Sequence, residues 1–210
     1  MTLKLKKSER GWNNEYTARL LCPQTMLPQF EADWRIFTQK VKQGEIELCE
    51  YHLPSFLWDQ TVADPNDITV GLFRGPLLVS CFRNIFTGPR TGDSDETGMQ
   101  PGKSCFIQMY NIASVIPIMI GYIAILIRFA LNSQRAWKVQ DGDFKADECL
   151  KYMLGLFGSE EEEGKVWATQ TIEWWNLQVL SVKPHEFRVP IEESAVAMIH
   201  AVFARKSRKA

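Results

Sequence analysis

IASVIPIMIGYIAILIRFAL, residues 112–131, is the most apolar stretch of the chain. It carries no charge over 115–127, a run of 13 residues. A membrane-spanning helix needs about 20 apolar residues, whereas a run of about 10–14 is more typical of a helix buried in a protein core. Pro117 suits the first turn of a helix, and Arg128 interrupts the apolar run. We therefore expect a core helix over Pro117–Asn132, with a membrane segment over 112–131 as the alternative.

Two patterns before this segment predict amphipathic helices. Aromatic and aliphatic residues recur at helical spacing over Glu31–Val41, and Gly44 follows as a stop signal. A second helix is predicted to end at Thr87, with Pro76 in its first turn. Its apolar residues form two adjacent rows, which are Phe73, Leu77, Cys81 and Ile85 in one and Leu78, Phe82 and Phe86 in the other. A stripe of this width indicates a helix docked in a core.

Three further helices are predicted after the apolar segment. Asp141–Phe144 is typical of a turn and leads into a helix over Lys145–Phe157. The next helix follows Ser159, which we expect to cap it, and Glu160–Glu163 would then favour its positive N-terminal end rather than form a metal site. The last helix is predicted over Ile191–Arg205, with a proline just before it.

The chain shows neither long alternation of apolar and polar residues nor an internal repeat, so sheet and repeat architectures are not indicated. The sequence predicts a mostly α protein, an irregular single-domain helical bundle of about six or seven helices with long loops. We expect an N-terminal arm over 1–27 and a single α-helical domain over 28–205. Within that domain we expect a mobile loop near 87–104, and after it a basic tail over 206–210.

The composition is that of an ordinary globular domain. The chain has 210 residues, with 24 lysines and arginines against 25 aspartates and glutamates, so its net charge is −1. A balance this even argues against a protein that is basic over its whole surface. The five cysteines are widely spaced and form no C-x-x-C pair, which favours reduced thiols. With no secretory signal in the sequence, we expect an intracellular protein, cytoplasmic or nuclear.

The sequence offers few candidates for catalysis. His52, His185 and His200 are not spaced to form a helical metal pair. No phosphate-binding glycine loop, G-x-S-x-G or H-E-x-x-H motif occurs. A Cys–His nucleophile pair has no local signature here, although such partners meet in space rather than in sequence. We expect no cofactor, no metal and no enzymatic activity.

Two arginines inside apolar stripes are candidate sites. Arg74 and Arg128 must each find an anion, which is either a ligand or an intramolecular carboxylate such as Glu173. The two chain termini are candidates for phosphate contacts because both are basic. Their residues are Arg205, Lys206, Arg208 and Lys209 at one end and Lys4, Lys6, Lys7 and Arg10 at the other. A solvated helix end is the plainer interpretation of the C-terminal group.

Several blocks of residues together resemble a known family. They are Gly11–Asn13 with Thr17–Pro23, Gly71–Arg74 with Leu77–Val79 and Ile85–Thr87, Tyr122–Ala124 with Arg128–Leu131, and Glu173–Asn176. Their order is similar to that of an uncharacterised domain-of-unknown-function family abundant in mushroom-forming fungi. The similarity runs from about Gly11 to Leu180. This resemblance implies no activity, cofactor or catalytic residue that could be transferred to the chain.

The sequence therefore favours a non-enzymatic helical interaction domain whose partner is a protein, a second copy of the chain included. One alternative is a nucleic-acid-associated protein that uses its basic termini, and another is a membrane-attached protein that uses 112–131. An enzyme would instead show a concave pocket with perturbed ionisable groups around Arg74 or Arg128.

Overall fold

The structure, a computed structural model, describes residues 5–87 and 106–180. The predicted helix over Ile191–Arg205, the predicted basic tail over 206–210 and, apart from Thr87, the predicted mobile loop near 87–104 lie outside the described residues.

Within these ranges the chain folds into α-helices joined by irregular segments, which confirms the predicted mostly α, single-domain fold. The helices are α1 (Glu15–Leu21), α2 (Leu27–Ala32), α3 (Trp34–Gln43), α4 (Pro76–Phe82), α5 (Phe106–Met109), α6 (Pro117–Leu131), α7 (Ala146–Phe157) and α8 (Glu162–Val179). A π-helical turn, Arg83–Thr87, continues α4. The predicted turn before α7 is an antiparallel hairpin that pairs β1 (Gln140–Asp141) with β2 (Phe144–Lys145).

Helix α6 lies at the centre of the core, as its apolar sequence predicts. Ile120 and Ile123 are fully buried, and Ala124 and Ile127 are nearly so. Pro117 is the first residue of the helix, where its missing N–H leaves no hydrogen bond unmade. Helix α6 packs against α4 and α7. The helix is 15 residues long, and none of the described helices is long and apolar enough to span a membrane.

A glycine of α6 lies where this helix crosses α7. A Cβ atom at Gly121 would lie 2.5 Å from Cδ1 of Leu150, which is too close for two carbon atoms. Because Cδ1 is the far end of a flexible, partly buried side chain, alanine at position 121 would require Leu150 to shift rather than the helices to separate.

Helix α8 covers the other side of the core with one buried stripe, Thr171, Trp175 and Val179. The indole Nε1 of Trp175 donates a hydrogen bond of 2.9 Å to the carbonyl oxygen of Phe73. Phe73 has φ 57°, a left-handed conformation that a helix does not contain. The predicted helical row that began at Phe73 is therefore wrong at its start, because α4 begins only at Pro76.

A second core cluster joins the N-terminal segment to α2 and α3. Its buried residues are Ala18, Cys22, Leu27, Phe30 and Phe37. Two expectations for helix ends differ from the structure. The helix predicted over Glu31–Val41 is broken at Asp33, whose carboxylate caps α3 by accepting hydrogen bonds from two backbone N–H groups. Ser159 is not the cap of α8, because that helix begins two residues later than the cap would require, after Glu161.

Candidate functional site

Arg128, in the last turn of α6, places its guanidinium group in a partly buried position. The guanidinium carbon of Arg128 lies 3.2 Å from the ring centroid of Phe144, so the cation stacks on the aromatic face. One guanidinium nitrogen lies 3.5 Å from a carboxylate oxygen of Asp141. Burial lowers the pKa of Arg128, and the carboxylate of Asp141 opposes that shift. Arg128 therefore has an internal anion and an aromatic partner, both supplied by the hairpin.

The carboxylate of Asp141 organises the surrounding polar groups. Its Oδ1 accepts a hydrogen bond of 2.6 Å from the side chain of Gln134, and its Oδ2 accepts one of 3.1 Å from Asn132. The tight turn that presents it is possible because Gly142 adopts φ 61°. Both oxygen atoms of this carboxylate thus accept hydrogen bonds from donors in α6 and in the loop that follows it.

The N-terminal segment reaches the same end of α6. The ammonium of Lys7 donates hydrogen bonds to the carbonyl of Phe129 and to the side chain of Asn132, and Arg10 donates one of 2.9 Å to the carbonyl of Ala130. These carbonyls lie at the C-terminal end of the helix, where cations are favourable. Burial and the neighbouring Arg10 lower the pKa of Lys7, and Asp141 opposes the shift. The sequence predicted Lys7 and Arg10 as phosphate contacts. In the structure their side chains are hydrogen-bonded to groups of the protein itself.

A cavity of about 360 Å³ opens beside this network. Its walls come from the N-terminal segment, the chain between α3 and Pro54, the end of α6 and the hairpin. The residues that line it include Gly11, Trp12, Ile46, Glu47, Leu48, His52, Arg128, Asn132, Gln134, Asp141, Asp143 and Phe144. Ligand pockets typically have volumes of about 300–1,000 Å³, so the cavity is large enough for an amino-acid side chain or a small molecule. A concave pocket with a perturbed ionisable group, the expected mark of an enzyme, is therefore present at Arg128, and burial of that side chain against Phe144 and Asp141 accounts for the lowered pKa.

Three carboxylates line the cavity against one guanidinium. The carboxylates are those of Glu47, Asp141 and Asp143, and the guanidinium is that of Arg128. Within the described residues, neither Glu47 nor Asp143 has an ion-pair partner. The cavity therefore carries an excess of negative charge, and both of these residues are exposed to solvent.

A thiol and an imidazole meet at one edge of the cavity. Sγ of Cys49 lies 3.1 Å from Nδ1 of His52, which itself lines the cavity. Cys49 and His52 are three positions apart in a segment that the structure shows to be a turn. This spacing alone does not predict the contact, because it recurs often by chance.

The other predicted sites have different surroundings. The guanidinium of Arg74 lies 5.5 Å from the ring of Trp174 and forms no ion pair among the described residues, so Glu173 is not its partner there. Arg205, Lys206, Arg208 and Lys209 lie outside the described residues. In the part of the chain that the structure describes, no three His, Cys, Asp or Glu side chains are grouped to hold a metal ion.

Comparison with known proteins gives a match to a protein family. A family described as "Family of unknown function (DUF6698)" matches residues 2–180, which includes every described helix. No curated protein and no solved structure is detectably similar to the chain. The match confirms the expected resemblance to a family without an assigned function, and it transfers no site residue.

Proposed function

The chain belongs to the DUF6698 family, and we propose that it is a non-enzymatic helical domain that binds a protein partner by receiving one of the partner's basic side chains in the cavity beside Arg128. The observation that carries the proposal is the excess of carboxylates over cations in the lining of this cavity. Complementary charge across an interface gives specificity and speeds association.

Of these carboxylates, only that of Asp141 has a cation of the protein as an ion-pair partner among the described residues. Arg128 is engaged by Asp141 and Phe144, and the groups of Lys7 and Arg10 are directed at carbonyls of α6. Glu47 and Asp143 are thus available to a cation from outside, and the indole of Trp12 adds an aromatic wall. An aromatic ring stabilises a cation that loses part of its water.

Exposed aromatic pairs support a protein as the source of that cation. The exposed rings of Tyr51 and Tyr152 pack edge to face at 5.4 Å, and Tyr51 also lies 6.0 Å from His52 in the cavity wall. Trp137, 48% exposed, packs on Phe129, the neighbour of Arg128. Aromatic residues are enriched at protein interfaces, where they supply much of the binding energy.

The site of action that we propose is inside the cell, in the cytoplasm or the nucleus. The thiols of Cys22, Cys49, Cys81 and Cys149 are unpaired, which suits a reducing compartment.

The charge requirement can be tested with two peptides that differ in one group. The full chain is titrated calorimetrically with acetyl-Gly-Gly-Arg-Gly-Gly-amide and with the same peptide carrying citrulline, the neutral analogue of arginine. We expect the arginine peptide to bind at least about tenfold more tightly, equivalent to about 1.4 kcal/mol, and binding to weaken as salt is added.

Matched variants place that binding in the cavity. Glu47→Gln and Asp143→Asn should each weaken the arginine peptide severalfold, because each removes a lining carboxylate without changing its size. Glu45→Gln removes an exposed carboxylate two positions from Glu47 that does not line the cavity, and it should leave binding unchanged. Equal binding of both peptides, no binding at all, or indifference to Glu47→Gln and Asp143→Asn would show that the proposal is wrong.

A further inference from the structure

The contact between Cys49 and His52 lies in a backbone turn that fixes both side chains. The N–H of His52 donates a hydrogen bond of 3.1 Å to the carbonyl of Cys49, and the N–H of Cys49 donates one of 3.2 Å to Nδ1 of His52. Because Nδ1 accepts from a backbone donor, the neutral imidazole carries its proton on Nε2. Nδ1 has a single lone pair, which the backbone N–H of Cys49 shares with the thiol, whose Sγ is 3.1 Å away.

Tyr51 is a second group that acts on this thiol. The electrostatic interaction with Cys49, followed by that with Glu50 and by a hydrogen bond to Cys49, raises the pKa of the Tyr51 phenol, so the phenol is a hydrogen-bond donor beside the sulfur. A thiol with a base and a hydrogen-bond donor beside it has the surroundings that activate cysteine nucleophiles.

The other described thiols have contrasting surroundings. Burial raises the pKa of Cys22 and of Cys149 to about 12 and raises that of Cys81 as well. These thiols are therefore held in the protonated, unreactive form. Cys49 is only partly buried, and the side chain of its neighbour Tyr51 is 60% exposed, so small molecules can approach this part of the surface.

We propose that Cys49 is a site of oxidation to a sulfenic acid by peroxides, with His52 as the acceptor of the thiol proton. The proton passes from Sγ to Nδ1, and the thiolate attacks one oxygen of hydrogen peroxide. The S–O bond forms as the O–O bond breaks, which gives a sulfenic acid on Cys49 and a hydroxide ion. That hydroxide takes the proton from His52 and leaves as water, so sulfur is oxidised and the peroxide is reduced. The inference does not depend on the binding of a partner.

The test measures the reactivity of each cysteine in the full chain. The native protein and the protein unfolded in guanidinium chloride are treated with iodoacetamide, and mass spectrometry follows each cysteine peptide over time. We expect Cys49 to react at least about fivefold faster in the folded protein than in the unfolded chain, and Cys22 and Cys149 to react much more slowly when folded. Hydrogen peroxide followed by dimedone, which traps sulfenic acids, should label Cys49 ahead of those two residues.

Two variants separate the role of the base from that of the fold. His52→Gln keeps an acceptor for the Cys49 N–H but cannot take a proton, and it should abolish the faster reaction. Tyr51→Phe removes only the phenol donor and should lower the reaction rate of Cys49 in part. A folded-state rate for Cys49 at or below its unfolded-state rate, or a rate unchanged by His52→Gln, would overturn the inference. The rates of Cys49 in the folded and unfolded wild-type protein test the inference even where a variant fails to fold.

Discussion

The ammonium of Lys7 lies over the ring of Phe129, with Nζ 4.1 Å from the ring centroid, and donates a hydrogen bond to the carbonyl of the same residue. A side chain near the N-terminus therefore caps the last turn of the central helix, more than a hundred residues later in the chain. Arg10 assists from the next turn of the N-terminal segment by bonding the carbonyl of Ala130. Among the described residues, neither of these two cations forms an ion pair with a carboxylate of the cavity.

Lys7→Met should destabilise the protein. The substitution keeps most of the aliphatic length but removes the donor, so the carbonyl of Phe129 and the side-chain oxygen of Asn132 lose a partner. A cation at a helix C-terminus contributes about 1 kcal/mol in partly buried settings, which corresponds to a fall in Tm of about 2–4 °C for a chain of this length. Thermal unfolding followed by circular dichroism measures it.

Lys6→Met is the matched control, because the side chain of Lys6 is exposed and the described hydrogen bonds of this residue are made by its backbone N–H and carbonyl. Its Tm should equal that of the wild type. A Tm for Lys7→Met that also equals that of the wild type would show that the contact contributes nothing to stability.

Asp141→Asn should destabilise the protein nearly as much as Asp141→Ala. All of the partners of this carboxylate are donors, namely Arg128, Asn132 and Gln134. An asparagine replaces one oxygen with an NH₂ group, which then faces a donor and leaves Arg128 without its anion. The expected loss is about 1–2 kcal/mol, measured by urea unfolding. A loss for the asparagine variant well below that for alanine would contradict the requirement for a carboxylate.

The central helix and the helix after the hairpin were predictable because their periodicity and stop signals are local. Pro117 and Arg128 bracket an apolar run, and Gly142 marks a turn that needs positive φ. Apolar spacing does not predict the break between α2 and α3, because the spacing continues through Asp33. Aspartate is nevertheless among the best N-caps, and Asp33 caps α3.

The candidate site was predictable only in part. A buried arginine must find an anion, so Arg128 was identifiable as a candidate from the sequence. Its partners were not, because Asp141, Phe144 and the Lys7 cap are set by tertiary packing that no spacing in the sequence encodes. The Cys49–His52 contact depends likewise on the conformation of a turn without regular secondary structure.

Thr171→Val should stabilise the protein. The side chain of Thr171 is fully buried in α8, and its Oγ1 is a buried polar atom with no hydrogen-bond partner among residues 5–87 and 106–180. Valine has the same shape and removes the cost of burying an unpaired hydroxyl, which is about 1–2 kcal/mol. Thr169→Val on the same helix replaces an exposed hydroxyl that bonds the carbonyl of Lys165, and it should give no increase. Urea unfolding of both variants measures the difference, and equal or lower stability for Thr171→Val would contradict the prediction.

Gly155→Ala should stabilise the protein, and Gly121→Ala should stabilise it less. Alanine favours a helix by up to about 1 kcal/mol over glycine at either position. At Gly155 in α7 a Cβ would meet no atom within 4 Å, so only this gain applies. At Gly121 the Cβ would lie 2.5 Å from Cδ1 of Leu150, so that side chain must change its rotamer, which offsets part or all of the gain.

The clash at Gly121 can be separated from any other effect of the substitution by a double-mutant cycle. Leu150→Ala removes the atom that a Cβ at position 121 would strike, at its own cost in buried apolar surface. In that background Gly121→Ala should increase the free energy of unfolding by more than it does in the wild type. If Gly121→Ala has the same effect in both backgrounds, its effect does not come from the contact with Leu150.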